Sequence, residues 1–382
     1  MKPGKTGRAR SGASLIDVAK AAGVSTATAG RVLGGYGYAS EPAAERVRSA
    51  ARALGYRPNR LARGLITGRT QTIGVVASDI ASPFYAAVIR GVADAVQNRG
   101  FGVLVTNSDE RLALEQQAVR LLLEKQVDGI IIAPCDLQSS EHLTEALESG
   151  CPIVQIDRAA PNLQTDSIAV DNVGAARACV RCLTDAGHRR IGFVGEVLLD
   201  GAVDLDGAIR RCAGLRPDER GVVPSVLRFT GYLAGCHDAG IAPDPNLIRR
   251  LGVYSAAAAR AAVLDLMTGP RPPTALFTAD GAMSTGALEA IGALGVDVPG
   301  DLSLICFDDL DWMQFYARGV SAASQPAREI GALAADLLLR RIEGDRDPVR
   351  HIVLPVAIVA RRSVAPPRRA RPRATKIGAG HD

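Results

Sequence analysis

The chain lacks the short motifs on which most catalytic assignments rest. It has no phosphate-loop motif, no G-x-S-x-G elbow and no Cys or His set at zinc-ligand spacing. Phosphoryl transfer, serine-hydrolase chemistry and a structural metal are thereby left without residues to carry them, and no metal or cofactor is expected. The five His are dispersed, and His188 in AGHRRIGF, just before a strand, reads as a hydrogen-bonding residue rather than a base. Asp308 and Asp309 do not make an acid pair, because neighbouring strand residues point to opposite faces. The seven Cys are odd in number and scattered, which suits reduced thiols; the close pair Cys179-x-x-Cys182 reads as helix packing. A signal peptide and an apolar run long enough to span a bilayer are also missing, so the expectation is a cytoplasmic protein that does not engage a membrane.

What is present is an uneven charge distribution. Residues 1–70 hold 13 Lys/Arg against three Asp/Glu, and residues 366–382 hold five against one. The whole chain is only +5, so the stretch between is acidic. A cationic head on an acidic body is expected when one module binds phosphate and the rest must not. A solvated or targeting tail is the plainer reading of a basic N-terminus. Against it stands a compact pair of capped helices that includes Asp17. With 382 residues and 47% hydrophobic content, two or three domains are expected.

SLIDVAKAAGVSTATAGRVL (14–33) carries the sharpest local signal. Ser14 can cap a first helix with Ile16, Val18, Ala19 and Ala22 on its inner face. Gly23 sits where the chain reverses and a positive φ is favoured. Ser25 can cap a second helix in which Ala29, Val32 and Leu33 point inward, leaving Thr26, Ala27, Thr28 and Arg31 outward. That arrangement suits a helix-turn-helix whose second helix enters a DNA major groove, although spacing alone also fits any small αα-hairpin. Ser40 with Pro42 then starts a third helix with Val47, Ala50, Ala51 and Leu54 on its stripe, ended by Gly55. Residues 59–65 follow as one or two helical turns or a free linker. As a short helix ordered by DNA and a partner chain, they would place Asn59, Arg60, Ala62, Arg63 and Leu65 at the DNA, with Leu65 wedged into the minor groove.

Beyond residue 72 the pattern alternates. IGVVA (73–77), GVLVTN (102–107), GIIIAP (129–134) and PIVQID (152–157) are β-rich runs separated by helical stretches, and IGFVG (191–195), ALFTA (275–279) and SLICFDD (303–309) form a second series. Two parallel α/β sheets place ligand crevices at the carboxyl ends of their strands.

DVAKAAGVSTATAGRVL, SEPAAERVRSAARALGYRPNRLARGL and TIGVVASDIASPFYAAVIRGV, in that order, resemble the lactose/galactose repressor family of bacterial transcription regulators. The likeness continues through VDGIIIAP, VQIDR, VDNVGAARACVRCLTDAGHRRIGFVG, RFTGYLAGCHDAGI and ALFTADGAMSTGALEAIGALGVDVPGDLSLICFDD. It implies an all-α helix-turn-helix headpiece plus an α/β periplasmic-binding-protein-like core of two Rossmann-like lobes, with three chain crossings between them. The implied layout is a basic tail (1–13), the headpiece (14–58), a hinge helix and linker (59–71), an effector-binding and dimerisation core (72–365) and a basic tail (366–382). The tail, rich in Pro and Arg, reads as disordered and has no leucine heptads for tetramerisation.

The resemblance further implies a homodimer on a near-palindromic operator, released or retained by a small-molecule effector such as a sugar or sugar derivative. Ser25, Thr26, Ala27, Thr28 and Arg31 are the implied groove-reading residues. Asp79 at a strand end, the aromatic Phe84 and Tyr85, and Trp312 as a stacking face suit a small polar ligand by their chemistry; the resemblance implies Arg228, which opens the R-x-x-G-[FY] pattern, Thr230, Tyr254, Asp280 and Asp308 as further effector contacts. The chain departs from the family in places: Ala29-Gly30 replaces Val-Ser in the recognition helix, Gly34 replaces Asn, and Asp280-Gly281 replaces Asn-Asp. The spacer before Arg228 is long and holds a second partial match at Arg211. A solute-binding protein without a DNA role shares the core but would lack the basic head. A sugar-modifying enzyme would need a catalytic set that the sequence does not offer.

Overall fold

The structure is a computed structural model that describes residues 13–35, 37–56, 69–199, 204–215, 221–316 and 318–368. The readings made for the hinge residues Asn59, Arg60, Ala62, Arg63 and Leu65, for residues 1–12 and for residues 369–382 lie outside the described residues. The chain divides into a small unit ending at Thr72 and a large one beginning at Ile73.

The small unit is three helices: α1 (Leu15–Ala22), α2 (Thr26–Gly34) and α3 (Glu41–Ala53). Local chemistry sets each boundary. Ser14 Oγ accepts the Asp17 N–H while the Asp17 carboxylate accepts the Ser14 N–H at 2.9 Å, a reciprocal cap that satisfies donors the helix itself cannot. Gly23 leaves α1 at φ 64°, and Ser25 Oγ accepts the Thr28 N–H at 3.1 Å to start α2. Val18, Ala19, Ala22, Ala29, Val47 and Ala51 form the core. Ile16, expected inside, is 59% exposed. The helix begins at Leu15, so residues 15, 18, 19 and 22 make the inward stripe and residue 16 falls off it. Leu54 is also exposed, because it is the C-cap beyond the last turn of α3.

The large unit holds two six-stranded sheets. The first lobe contains β1 (Thr72–Ala77), β2 (Gly102–Asn107), β3 (Gly129–Ile132), β4 (Ile153–Ile156) and β5 (Asp166–Val170). The second contains β6 (Ile191–Gly195), β7 (Ile248–Arg250), β8 (Ala275–Thr278), β9 (Ser303–Phe307) and β10 (Ser321–Ser324). Two late strands divide between them: β11 (His351–Leu354) joins β5 and β12 (Ala357–Val359) joins β10. The orders are β11-β5-β4-β3-β1-β2 and β12-β10-β9-β8-β6-β7, so each strand of one lobe has a counterpart in the other. The chain passes between sheets after β5, after β10 and after β11. Strands such as β3 and β9 are buried along their whole length, as parallel strands covered by helices on both faces must be.

The covering helices are α4 (Pro83–Gln97), α5 (Leu112–Glu124), α6 (Glu141–Glu148), α7 (Asn172–Asp185), α8 (Leu205–Ala213), α9 (Pro224–Asp238), α10 (Ala256–Thr268), α11 (Gly281–Leu294) and α12 (Ala327–Glu343). Although α12 follows the second lobe's strands, it packs on α4 in the first lobe. Their backbones meet through two glycines. A Cβ on Gly331 would fall on the Val88 carbonyl oxygen, and one on Gly91 on that of Arg328. Ala is the better helix former by ~0.5–1 kcal/mol, but the clash is with backbone and cannot be relieved by a rotamer change. We therefore expect Gly331→Ala to destabilise the large unit by ~1–3 kcal/mol, read as a lowered midpoint in thermal unfolding.

Candidate functional site

Loops after the strands of both sheets, together with helix starts, enclose one cleft. From the first lobe come Asp79, two residues after β1, Glu110 after β2, and Asp157 and Arg158 immediately after β4. Ser82, Phe84 and Tyr85 enter from the start of α4. The second lobe contributes Glu196 after β6, Asp280 after β8, Asp308 after β9 and Gln325 after β10. Pro224, Ser225 and Arg228 stand on the first turns of α9, and Tyr254 precedes α10. This is the crevice that the carboxyl ends of open parallel sheets create.

Two aspartates are related by the lobes' matching topology. Asp157 follows β4 and Asp308 follows the equivalent β9, and both have left-handed backbones, φ 66° and 72°. Non-glycine residues at positive φ are uncommon, and such strain concentrates at functional sites. Asp157 Oδ2 accepts from the Tyr85 hydroxyl at 3.3 Å, and Asp308 Oδ1 accepts from Gln325 Nε2 at 2.6 Å.

Arg228 is nearly fully buried and held from three sides. Its Nε donates to Asn172 Oδ1 at 2.8 Å and its Nη1 to the Ala279 carbonyl at 2.9 Å. The guanidinium carbon lies 3.9 Å from the centre of the Phe307 ring. These contacts leave Nη2 with no protein acceptor among the described residues. Arg158 is chelated by Glu110, with Nη1 and Nη2 at 3.0 and 2.5 Å. Burial raises the carboxyl of Asp157 above its ordinary value, against the pull of Arg158 and Arg228. Burial likewise pushes Asp280 up to about 6 although the Met283 N–H stabilises its anion, and pushes Glu196 up to about 7 with help from Asp280 and Glu110.

The structure thus brings Asp79, Phe84, Tyr85, Arg228, Tyr254, Asp280 and Asp308 to one cleft. It places two expected contacts elsewhere. Thr230 is buried inside α9, with its hydroxyl donating to the Val226 carbonyl at 2.9 Å. Two residues along a helix turn a side chain to nearly the opposite face, so Thr230 cannot share the cleft with Arg228. Trp312, in a 3₁₀ turn (Asp311–Gln314), lines a neighbouring groove with Phe84, Asp309 and Gln325. Glu110, Asp157, Arg158, Glu196, Ser225 and Gln325 were not anticipated. Five of them follow strand ends, so the rule that locates the crevice could have named them.

On the small unit, Ser25, Thr26 and Ala27 are exposed at the start of α2, while Thr28 and Arg31 are half-buried. Arg31 Nη2 reaches Thr28 Oγ1 at 3.4 Å, and its Nε is buried without a hydrogen-bond partner among the described residues. The N-terminus of α2 therefore presents short polar groups beside a guanidinium, a composition suited to base edges and phosphate.

Residues 14–59 match the family described as bacterial regulatory proteins, lacI family, and residues 180–364 match a periplasmic binding protein-like domain. The HTH-type transcriptional repressor CytR of Escherichia coli is 32% identical over 340 residues, 89% of this chain and 93% of CytR. The HTH-type transcriptional regulator PtxS of Pseudomonas aeruginosa is 32% identical over 357 residues, covering 92% and 96% of the two chains. Among solved structures, the lac repressor dimer bound to operator and the anti-inducer ONPF superposes with a TM-score of 0.77 at 25% identity, covering 93% of this chain and 100% of that one. With its helix-turn-helix, its paired lobes and relatives matched over nearly their full length, the chain belongs to the LacI family of bacterial transcription regulators.

Proposed function

We propose that this protein is a repressor that binds a near-palindromic operator as a homodimer and that a small hydroxylated molecule in the cleft sets its operator affinity. The carrying observation is the presence, in one chain, of a capped helix-turn-helix and an inter-lobe cleft containing a buried, incompletely satisfied arginine. Ser25, Thr26, Ala27, Thr28 and Arg31 read the major groove. Asn59, Arg60, Ala62, Arg63 and Leu65 contact the minor groove and central step. Asp79, Tyr85, Arg228, Tyr254, Asp280 and Asp308 hold the effector, with Arg228 Nη2 donating to a ligand oxygen. The effector acts through its differential affinity for the two conformations of the lobes. The protein works in the cytoplasm, where the operator is, and catalyses no reaction.

The test is selection of genomic fragments by the full-length protein against scrambled competitor, followed by titration with metabolites. We expect one or a few fragments to be retained, and a cleft ligand to change their affinity by ~5–150-fold. Retention of no fragment over competitor, with or without metabolites, would sink the proposal.

A further inference from the structure

The charges around the cleft do not balance. Six carboxylates, those of Asp79, Glu110, Asp157, Glu196, Asp280 and Asp308, line it against the guanidiniums of Arg158 and Arg228. Both guanidiniums are largely committed. Arg158 is chelated by Glu110 and also reaches Ser78 Oγ at 3.3 Å. Arg228 keeps only Nη2 for a ligand. An anionic ligand would find Arg228 Nη2 and the buried Arg158 Nε, which lies 3.4 Å from the Asp157 carboxylate, in a field set mainly by carboxylates.

The acceptors, in contrast, are under-used. The Glu196 carboxylate accepts no hydrogen bond from the described residues; only the residue's backbone carbonyl does, from the Gly252 N–H. Asp79 Oδ1 accepts the Ala81 N–H, and the Asp280 carboxylate accepts the N–H groups of Met283 and Ala282, all from their own turns. Gln325 Oε1 is buried without a donor among the described residues, and its orientation follows from the amide nitrogen serving Asp308. A buried acceptor without a donor calls for a partner absent from the protein itself. The acceptors also come from both lobes: Asp79 and Asp157 from the first, Glu196, Asp280, Asp308 and Gln325 from the second.

We propose that the effector carries a protonated amine beside its hydroxyls, as an amino sugar or amino polyol does, and that acidic and phosphorylated sugars are rejected. This rests on the effector reading above. A cation held between the lobes screens the repulsion across the cleft, so its charge itself favours closure. The amine would sit among Asp280, Glu196 and Asp308, while the hydroxyls meet Arg228 and Asp79 and an apolar face meets Phe84 and Tyr254.

The experiment is thermal unfolding of the full-length protein with matched amine, neutral and acid sets: glucosamine, glucose and gluconate; galactosamine, galactose and galacturonate; serinol, glycerol and glycerate. Ionic strength is matched throughout. The amine member should give the largest rise in midpoint, and Glu196→Gln or Asp280→Asn should reduce that rise more than the rise from the neutral member. A larger shift from an acid, equal shifts from amine and neutral members, or an amine shift untouched by both substitutions overturns the proposal.

If no compound shifts the midpoint, the unliganded variants decide. Glu196 faces Glu110, Arg158, Arg228 and Asp280 from four separate elements, with Tyr254 nearby. Unbalanced repulsion makes Glu196→Gln more stable than the parent by ~2 °C near pH 8 and no different below about pH 4.5, because the folded state holds the proton longer than the unfolded one. A variant that is no more stable near pH 8 overturns the proposal. Failure of the effector reading looks different: an amine then stabilises the chain yet leaves operator affinity unchanged.

Discussion

Replacing Arg228 with Ala will weaken effector binding by ~100-fold, about 2.7 kcal/mol, while operator affinity without effector stays within a few fold of the parent. Arg228 is placed by a helix, oriented by Asn172 and the Ala279 carbonyl, and stacked on Phe307, so its remaining N–H groups are aimed before any ligand arrives. A charge-assisted hydrogen bond supplies ~1.5–3 kcal/mol, and preorganisation favours the upper part of that range. The substitution also leaves the Asn172 and Ala279 oxygens unserved and lowers the melting midpoint. Arg228→Lys separates the two effects. It keeps the charge but not the planar fork, so it should recover stability more than affinity. Calorimetry with a ligand found by thermal shift, alongside gel-shift titration of the operator, gives both readouts. Undiminished effector affinity in Arg228→Ala would remove Arg228 from the effector site, and the sequence alternative Arg211 is exposed on α8 and does not line the cleft.

Asp166→Ala is expected to have the largest effect on stability, about 3 kcal/mol. Asp166 opens β5 with its side chain wholly buried, accepts from Arg341 Nε and Nη2 at 2.7 and 2.9 Å, and accepts from the Arg350 N–H at 2.7 Å. The link ties α12 and the entrance of β11 to the sheet of the first lobe. Removing the carboxylate strands a guanidinium that is only partly exposed, although carbonyls of Asp345 and Asp347 still receive Nη1. The cost therefore sits at the low end of the range for a broken buried pair. Burial alone would raise the Asp166 pKa, but the hydrogen bonds from Arg341 and Arg350 outweigh it and hold the carboxyl below its ordinary value. A depressed folded-state value means a contribution fully present above the unfolded carboxylate's pKa and lost as pH falls through the folded one. Parent and variant should thus differ most near neutrality and converge in strong acid. Denaturant melts at two pH values check this, and a gap that persists unchanged in acid would argue against the ionised pair.

The helix-turn-helix was legible because its determinants are local: Ser14 and Ser25 accept N–H groups three residues on, and Gly23 donates its own N–H to carbonyls of the preceding turn at positive φ. The strands β1, β3, β4, β6, β8 and β9 were legible because strands buried on both faces are continuous apolar runs. β5 (DSIAV), β7 (IRR), β10 (SAAS), β11 (HIVL) and β12 (AIV) were not read as strands. They are short or carry polar residues, and neighbouring strands decide their conformation. The cleft divides in the same way. Arg228 announces itself through its motif and Asp308 through its strand end; Glu196 also follows a strand that was read, whereas Gln325 follows β10, which was not read as a strand. Thr230 shows the converse: the resemblance implied a cleft contact, but its hydroxyl is spent on the Val226 carbonyl inside α9.

The returning path of the chain has a consequence for biosynthesis. The lobe whose strands emerge first from the ribosome still lacks α12 and β11, which are translated after nearly all of the second lobe. Until residue 354 is available, the face of α4 that receives Gly331 stays uncovered and β5 remains an open edge. The first half to be made is therefore the last to be finished, and a nonsense codon as late as residue 325 would leave neither lobe whole.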